Sequence, residues 1–163
     1  MAAILQLKLT LSLIFVAFLL LPSIQAKTTK VEPCDVKTKY AVKVTGVDIN
    51  PNPVSRGKPT TFSISASTAD KLISEGAMDI EVKYFGISVH SEKFDLCKET
   101  SCPVGAGNFV ISHTQELPGI TPPGTYTLKL KMLEKNGKEL SCVHFDFSIG
   151  FWYADEAVAV ADI

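Results

Sequence analysis

From residue 36 to residue 149, apolar and polar side chains alternate one by one along short runs, and this regularity constrains the fold more than any other property of the chain. A period of two puts successive side chains on opposite faces of a strand, whereas an amphipathic helix repeats every 3.6 residues. Val36 to Val44 reads V-K-T-K-Y-A-V-K-V. Val36, Tyr40, Val42 and Val44 share one face with Thr38, and Lys37, Lys39 and Lys43 take the other. Phe62, Ile64 and Ala66 define a second strand, and Ile80, Val82 and Tyr84 a third. At Phe85-Gly86 the phase slips, which predicts a bulge or a tight bend before Ile87 and Val89 resume the pattern. Phe109, Ile111 and His113 alternate next, then Tyr126, Leu128, Leu130 and Met132, with Lys129 and Lys131 outward. Asn136-Gly137 predicts a type I′ hairpin turn. The returning strand carries Val143, Phe145, Phe147 and Ile149 on one face.

Proline and glycine clusters separate these runs, at Asn50 to Pro53, Arg56 to Pro59, Leu117 to Gly119 and Pro122 to Gly124. Proline cannot donate to a ladder, so these segments are connections. Asp70 to Glu75 breaks the alternation and reads as a single helical turn. About seven short strands with turns between them predict an all-β, immunoglobulin-like sandwich of two antiparallel sheets.

The first 26 residues are set apart from the fold. Lys8 precedes an uncharged stretch from Leu9 to Leu21, followed by Pro22-Ser23-Ile24-Gln25-Ala26. This is the layout of a secretory signal cleaved near Ala26. A membrane anchor would need roughly 20 apolar residues and a basic flank. The chain thus divides into a signal at 1–26, one domain at 27–150 and a tail at 151–163. In the tail, Phe151-Trp152-Tyr153 is expected to close one end of the sandwich. Loss of Lys8 moves the formal charge from −1 to −2. That balance argues against nucleic acid as a partner.

Four cysteines, Cys34, Cys97, Cys102 and Cys142, form an even set, which in an exported chain reads as disulfides. Three pairings are open. Cys97 and Cys102 are near enough to close a local loop, and Cys34 and Cys142 would then join the ends of the domain. Closing so long a loop is worth about 4–5 kcal/mol in the chain-entropy model. None of His90, His113 or His144 stands at zinc-ligand spacing from a cysteine pair, so no metal is expected.

A search for catalytic chemistry finds no nucleophile elbow, no phosphate-binding glycine loop and no His-Glu-x-x-His pair. His144 and Asp146 share a strand face, but it is the outer one. Neither an enzyme nor a cofactor is expected. The apolar supply is generous, yet alternation alone cannot distinguish a solid core from two sheets standing apart around a ligand.

Several segments resemble the ML lipid-recognition domain, in particular its plant phosphatidylglycerol/phosphatidylinositol transfer-like branch and the Niemann–Pick type C sterol carrier. The segments are Cys34, V-D-I-N-P-N-P-V-S-R-G-K from Val47 to Lys58 leading into T-F-S-I-S-A, and the close pair Cys97 and Cys102. L-P-G-I-T-P-P-G-T-Y-T-L-K from Leu117 to Lys129 and N-G-K-E-L-S-C-V-H-F-D-F-S-I from Asn136 to Ile149 complete the set. The resemblance covers about residues 30–150. It implies pairing of Cys34 with Cys142 and of Cys97 with Cys102, and sheets that splay at one end around an apolar lipid cavity. The sterol carrier's extra cysteine pair is missing here, since Val47 to Lys58 holds prolines instead, so sterol specificity does not carry over.

By position in the family, the cavity mouth falls on Ile87, Val89, Phe94 and Phe109, with Ile120 at the rim. Deeper lining falls on Phe62, Ile64, Val82, Tyr84, Leu128, Phe145 and Phe147. The function implied is carriage of a sterol or phospholipid by a monomer, secreted or in a vacuolar lumen, with transient contact to a membrane surface and a possible protein receptor. Lys37, Lys39, Lys43, Lys129 and Lys131 are candidates for attracting anionic lipid. The rival reading is a sandwich with a filled core that binds a protein partner through its surface.

Overall fold

The computed structural model describes residues 28–151; the expected signal segment and the tail from Trp152 onward lie outside them. Eight strands and one short helix follow in order: β1 (Glu32–Pro33), β2 (Val42–Asn50), β3 (Pro59–Thr68), β4 (Gly76–Tyr84), β5 (Ile87–Asp95), α1 (Leu96–Glu99), β6 (Gly107–Glu116), β7 (Gly124–Glu134) and β8 (Glu139–Ile149). They form a five-stranded sheet, β1-β8-β7-β4-β5, facing a three-stranded sheet, β2-β3-β6. Every named strand pair is antiparallel. The alternation does what period two requires. On β3 the side chains of Phe62, Ile64 and Ala66 are buried, while Ser63, Ser65 and Ser67 between them are more open to water.

The two sheets are stitched together on their β2–β8 side. Thr29 bridges to Val47 of the three-stranded sheet, and three residues later Glu32 pairs with His144 of the five-stranded one. Val54, in the loop after β2, forms a parallel bridge with Ile149. Cys34 and Cys142 are joined there, with Cα atoms 5.4 Å apart. The opposite, β5–β6 side is spanned by α1, whose Cys97 is joined to Cys102. Both disulfides are those the family resemblance implied.

The structure departs from the sequence reading in four places. The first long strand runs Val42–Asn50, not Val36 to Val44, and Val36 is 83% exposed. The reason is local: the Asp35 carboxylate accepts hydrogen bonds from the Lys37 N–H (2.8 Å) and the Thr38 hydroxyl (2.7 Å), folding the alternating run into a turn. Those two bonds also hold the Asp35 carboxyl below its ordinary range. Asp70 to Glu75 is not helical; Ile73 instead bridges to Val104. The Asn136-Gly137 turn has positive φ only at Gly137 (83°), whereas type I′ needs it at both central residues. Gly137 N–H donates to Glu134 O and Glu134 N–H to Lys138 O, giving a three-residue loop with a left-handed glycine. Finally, the edge strand β1 and the helix α1 were not anticipated.

Phe85-Gly86 is the tight bend, with φ of 50° and 78°. The β4–β5 register also shifts between Val82, which pairs with His90, and Lys83, which pairs with Ser88, so Val89 is an extra residue on β5.

Candidate functional site

The inner faces do not meet everywhere. Around Met78, Leu96, Met132 and Leu140 side chains are wholly buried and the space is filled. Towards the ends of β8 and β6 the sheets enclose a cavity of about 530 Å³, within the range of roughly 300–1,000 Å³ usual for small-molecule sites. Val82 and Tyr84 of β4, Leu128 of β7 and Phe145 and Phe147 of β8 form one wall. Phe62 and Ile64 of β3 form the other. Val89 and Phe94 of β5 and Ile120 of the β6–β7 loop line its open side.

Of the residues expected to form the site, only Ile87 and Phe109 do not line this cavity. Phe109 pairs with Ala66 at the start of β6, so the antiparallel register carries it to the filled end. Ile87 stands outside on the rim, opposite Tyr84. The lysines singled out for membrane attraction lie elsewhere. Lys37 and Lys39 sit in the turn before β2, Lys43 faces outward opposite Ser67, and Lys131 pairs with Glu139 at 3.4 Å. Lys129 stands in mid-strand between Glu81 and His144.

Aromatic rings hold the cavity open. Phe62 meets Phe147 edge-on across the gap at 5.8 Å, Phe147 stacks near Tyr126 at 5.6 Å, and Tyr126 stacks on Tyr84 at 4.5 Å. Rings in contact are rigid plates that prop one another, an arrangement worth about 0.5–1.5 kcal/mol per pair beyond burial. Both tyrosines also fix the β6–β7 loop. The Tyr126 hydroxyl donates to Pro122 O (2.7 Å) and the Tyr84 hydroxyl to Pro123 O (3.2 Å). Burial, with Tyr84 beside it, pushes the Tyr126 phenol above its ordinary value, so it stays a donor at physiological pH. Gly124 is required by this contact: a Cβ there would stand 3.2 Å from the Tyr84 ring, and its φ is +138°.

The rim is apolar and exposed. Ile120, at the tip of the turn closed by Thr121 N–H on Pro118 O, is 92% exposed. Phe85 is 86% exposed although its φ of 50° is left-handed, a conformation that costs a bulky residue about 1–3 kcal/mol. Its ring leans on Tyr84 at 4.4 Å.

Both carboxylates and both histidines of the lining lie on the facing edge strands β5 and β6, along the slit between them. His90 and Glu92 of β5 form one lip, bonded to each other at 3.3 Å, and Gln115 and Glu116 of β6 form the other. His113 sits where the lips converge. The lining expected from the sequence held apolar positions only, so none of these polar residues had a place in it. The available signal was a polar residue at some inward positions of β5 and β6: cross-strand pairing puts His90 and Glu92 on the face of Val82 and Ile80 and His113 on that of Phe62. Such a site, apolar within and polar along one slit, suits an amphiphile whose polar end stays near water. Among the described residues, no cluster of ligands suited to a metal occurs.

Comparison with known proteins agrees with this geometry. A family model described as the ML domain matches residues 28–149. A phosphatidylglycerol/phosphatidylinositol transfer protein of Candida albicans is 32% identical over 119 residues, covering 69% of this chain and 62% of that protein. One of the same name from Kluyveromyces lactis is 30% identical, covering 68% of each. The chain thus spans a little under two thirds of the first relative's length. Among solved structures, a Niemann–Pick type C2 protein of the Japanese carpenter ant superposes with a TM-score of 0.57 at 14% identity, covering 74% of this chain and 98% of that one.

Proposed function

Since the chain belongs to the ML-domain family of non-enzymatic lipid-binding proteins, we propose that it is a carrier that lifts one phospholipid out of a membrane, holds its acyl chains between the two sheets and releases it elsewhere. The observation that carries this reading is the cavity of about 530 Å³, lined mostly by apolar side chains and with its carboxylates along one slit. Burial of apolar surface at roughly 25 cal/mol per Å² gives several kcal/mol for a ligand hiding a few hundred Å². The polar groups along the slit favour a phospholipid over a sterol, because a large headgroup needs partners where it emerges. The relatives named for phosphatidylglycerol and phosphatidylinositol transfer support the same choice. The exposed Phe85, Ile87 and Ile120 are the surface that touches the donor and acceptor membranes. Two disulfides favour an oxidising lumen or the extracellular space as the place of work.

Gently purified, exported protein analysed by lipid extraction and mass spectrometry tests the proposal. The expected result is close to one phospholipid per chain. Protein that is lipid-free, and stays so after incubation with mixed vesicles, overturns it and favours a surface-binding module.

A further inference from the structure

His113 is the polar group most enclosed by the cavity wall, at 8% exposed. Its position is built from three directions. The β3–β6 register sets it opposite Phe62, and its ring packs on that of Phe94 with centroids 4.2 Å apart. Its Nδ1 lies 3.3 Å from Oε2 of Glu99. Glu99 in turn is carried by α1, which is anchored at every point. The Asp95 carboxylate accepts from the Cys97 N–H at 2.9 Å, Cys97 is tied to Cys102, and the Thr100 hydroxyl donates to Val110 O at 2.8 Å. A residue needed only to fill space would not require this support.

The pairing fixes what the ring offers. A carboxylate only accepts, so the shared proton sits on Nδ1, and in the neutral ring Nε2 is left as a lone-pair acceptor. Among the described residues the His113 side chain bonds only through Nδ1, and His113 lines the cavity, which leaves Nε2 for a ligand. The slit beside it carries two further carboxylate acceptors, Glu92 and Glu116, together with His90 and the Gln115 amide, which can donate as well as accept. The Nε2 lone pair and the two carboxylates beside it fit a ligand that brings its own hydroxyl protons.

We propose that Nε2 of His113 accepts a hydrogen bond from a headgroup hydroxyl of the bound lipid, and so selects polyol-headed lipids over lipids of equal chain length and charge that lack the hydroxyl. The proposal rests on the carrier reading and assigns the residue that discriminates among headgroups, with Glu99 as its positioning residue. Sites built around a hydrogen bond reject analogues that leave it unmade more strongly than sites built on fit alone.

The test compares dioleoyl phosphatidylglycerol with dioleoyl phosphatidylethanol, which has the same chains and the same phosphodiester charge but no headgroup hydroxyl. Equilibrium competition for the full exported protein is expected to favour phosphatidylglycerol by about tenfold. His113→Phe keeps a ring against Phe94 and removes the acceptor, so the two lipids should then bind alike. His113→Gln, whose amide oxygen can accept, should restore part of the preference. Glu99→Gln no longer dictates the tautomer and should lose part of it, which gives a second reading if the phenylalanine variant folds poorly. Equal binding of the two lipids by the unchanged protein, or a preference that survives in His113→Phe, overturns the proposal and leaves the carrier intact. If the unchanged protein takes up neither lipid, the carrier reading falls, and this proposal with it.

Discussion

The two ends of this sandwich are written in the same alternating pattern and are physically opposite. At one end Met78, Leu96, Met132 and Leu140 are wholly buried, and a disulfide ties the edge beside β1 to β8. At the other, Phe62, Tyr84, Tyr126 and Phe147 surround empty space. The difference lies in the shape of the inward residues. Unbranched methionine and compact aliphatic side chains adjust to fill an irregular gap. Rings touching edge and face cannot, and they keep the sheets apart at the distance their contacts set. Alternation therefore fixes which side chains point inward, while side-chain stiffness decides whether the inside is full.

The contrast can be broken most severely at its closed end. Replacing both Cys34 and Cys142 by alanine removes a link across 108 residues and should cost about 4–5 kcal/mol, read by urea denaturation of the oxidised protein against the variant. A matched pair of truncations sharpens the comparison. Leu140→Ala, in the filled end, should cost about 3–4 kcal/mol because it opens a new void. Leu128→Ala, which already borders a cavity, should cost about 2 kcal/mol, and equal losses would mean that the two ends are packed alike. Enlargement should invert the ranking. Val42→Trp in the filled end should destabilise by about 1–3 kcal/mol, whereas Val82→Trp should leave the unfolding midpoint nearly unchanged and suppress lipid uptake. The smallest effect is at the rim. Phe85→Asn relieves a left-handed bulky residue and should gain about 1 kcal/mol of stability while weakening sedimentation with vesicles. Stability and vesicle binding falling together would show that Phe85 serves the fold instead.

The strands were legible wherever alternation met no competitor, as at Phe62 to Ala66 and Tyr126 to Met132. The first strand was misplaced because Asp35 offers its neighbours' donors a nearer partner than a ladder would. Four residues of helix, Leu96–Glu99, are too few to show a 3.6-residue period. Both disulfides and the approximate cavity wall came from resemblance to a family, not from the pattern itself. The polar slit was missed because inward polar residues on an edge strand look like ordinary alternation shifted by one. It becomes visible only when Glu92 is seen to lie opposite Ile80 and His113 opposite Phe62.

The crossing of the N-terminal segment from Val47 to His144, together with the Val54–Ile149 bridge, gives the molecule the mechanics of a bound book. Backbone pairing forms the spine along β2 and β8; at the fore-edge α1 and the Cys97–Cys102 link join the covers at the filled end, and side chains meet along the slit. Along the slit the separation of the covers is set by side-chain contacts such as that of Phe94 with His113, and by no ladder bond between β5 and β6. Tolerance for cargo of different girth is thus written into where the binding runs.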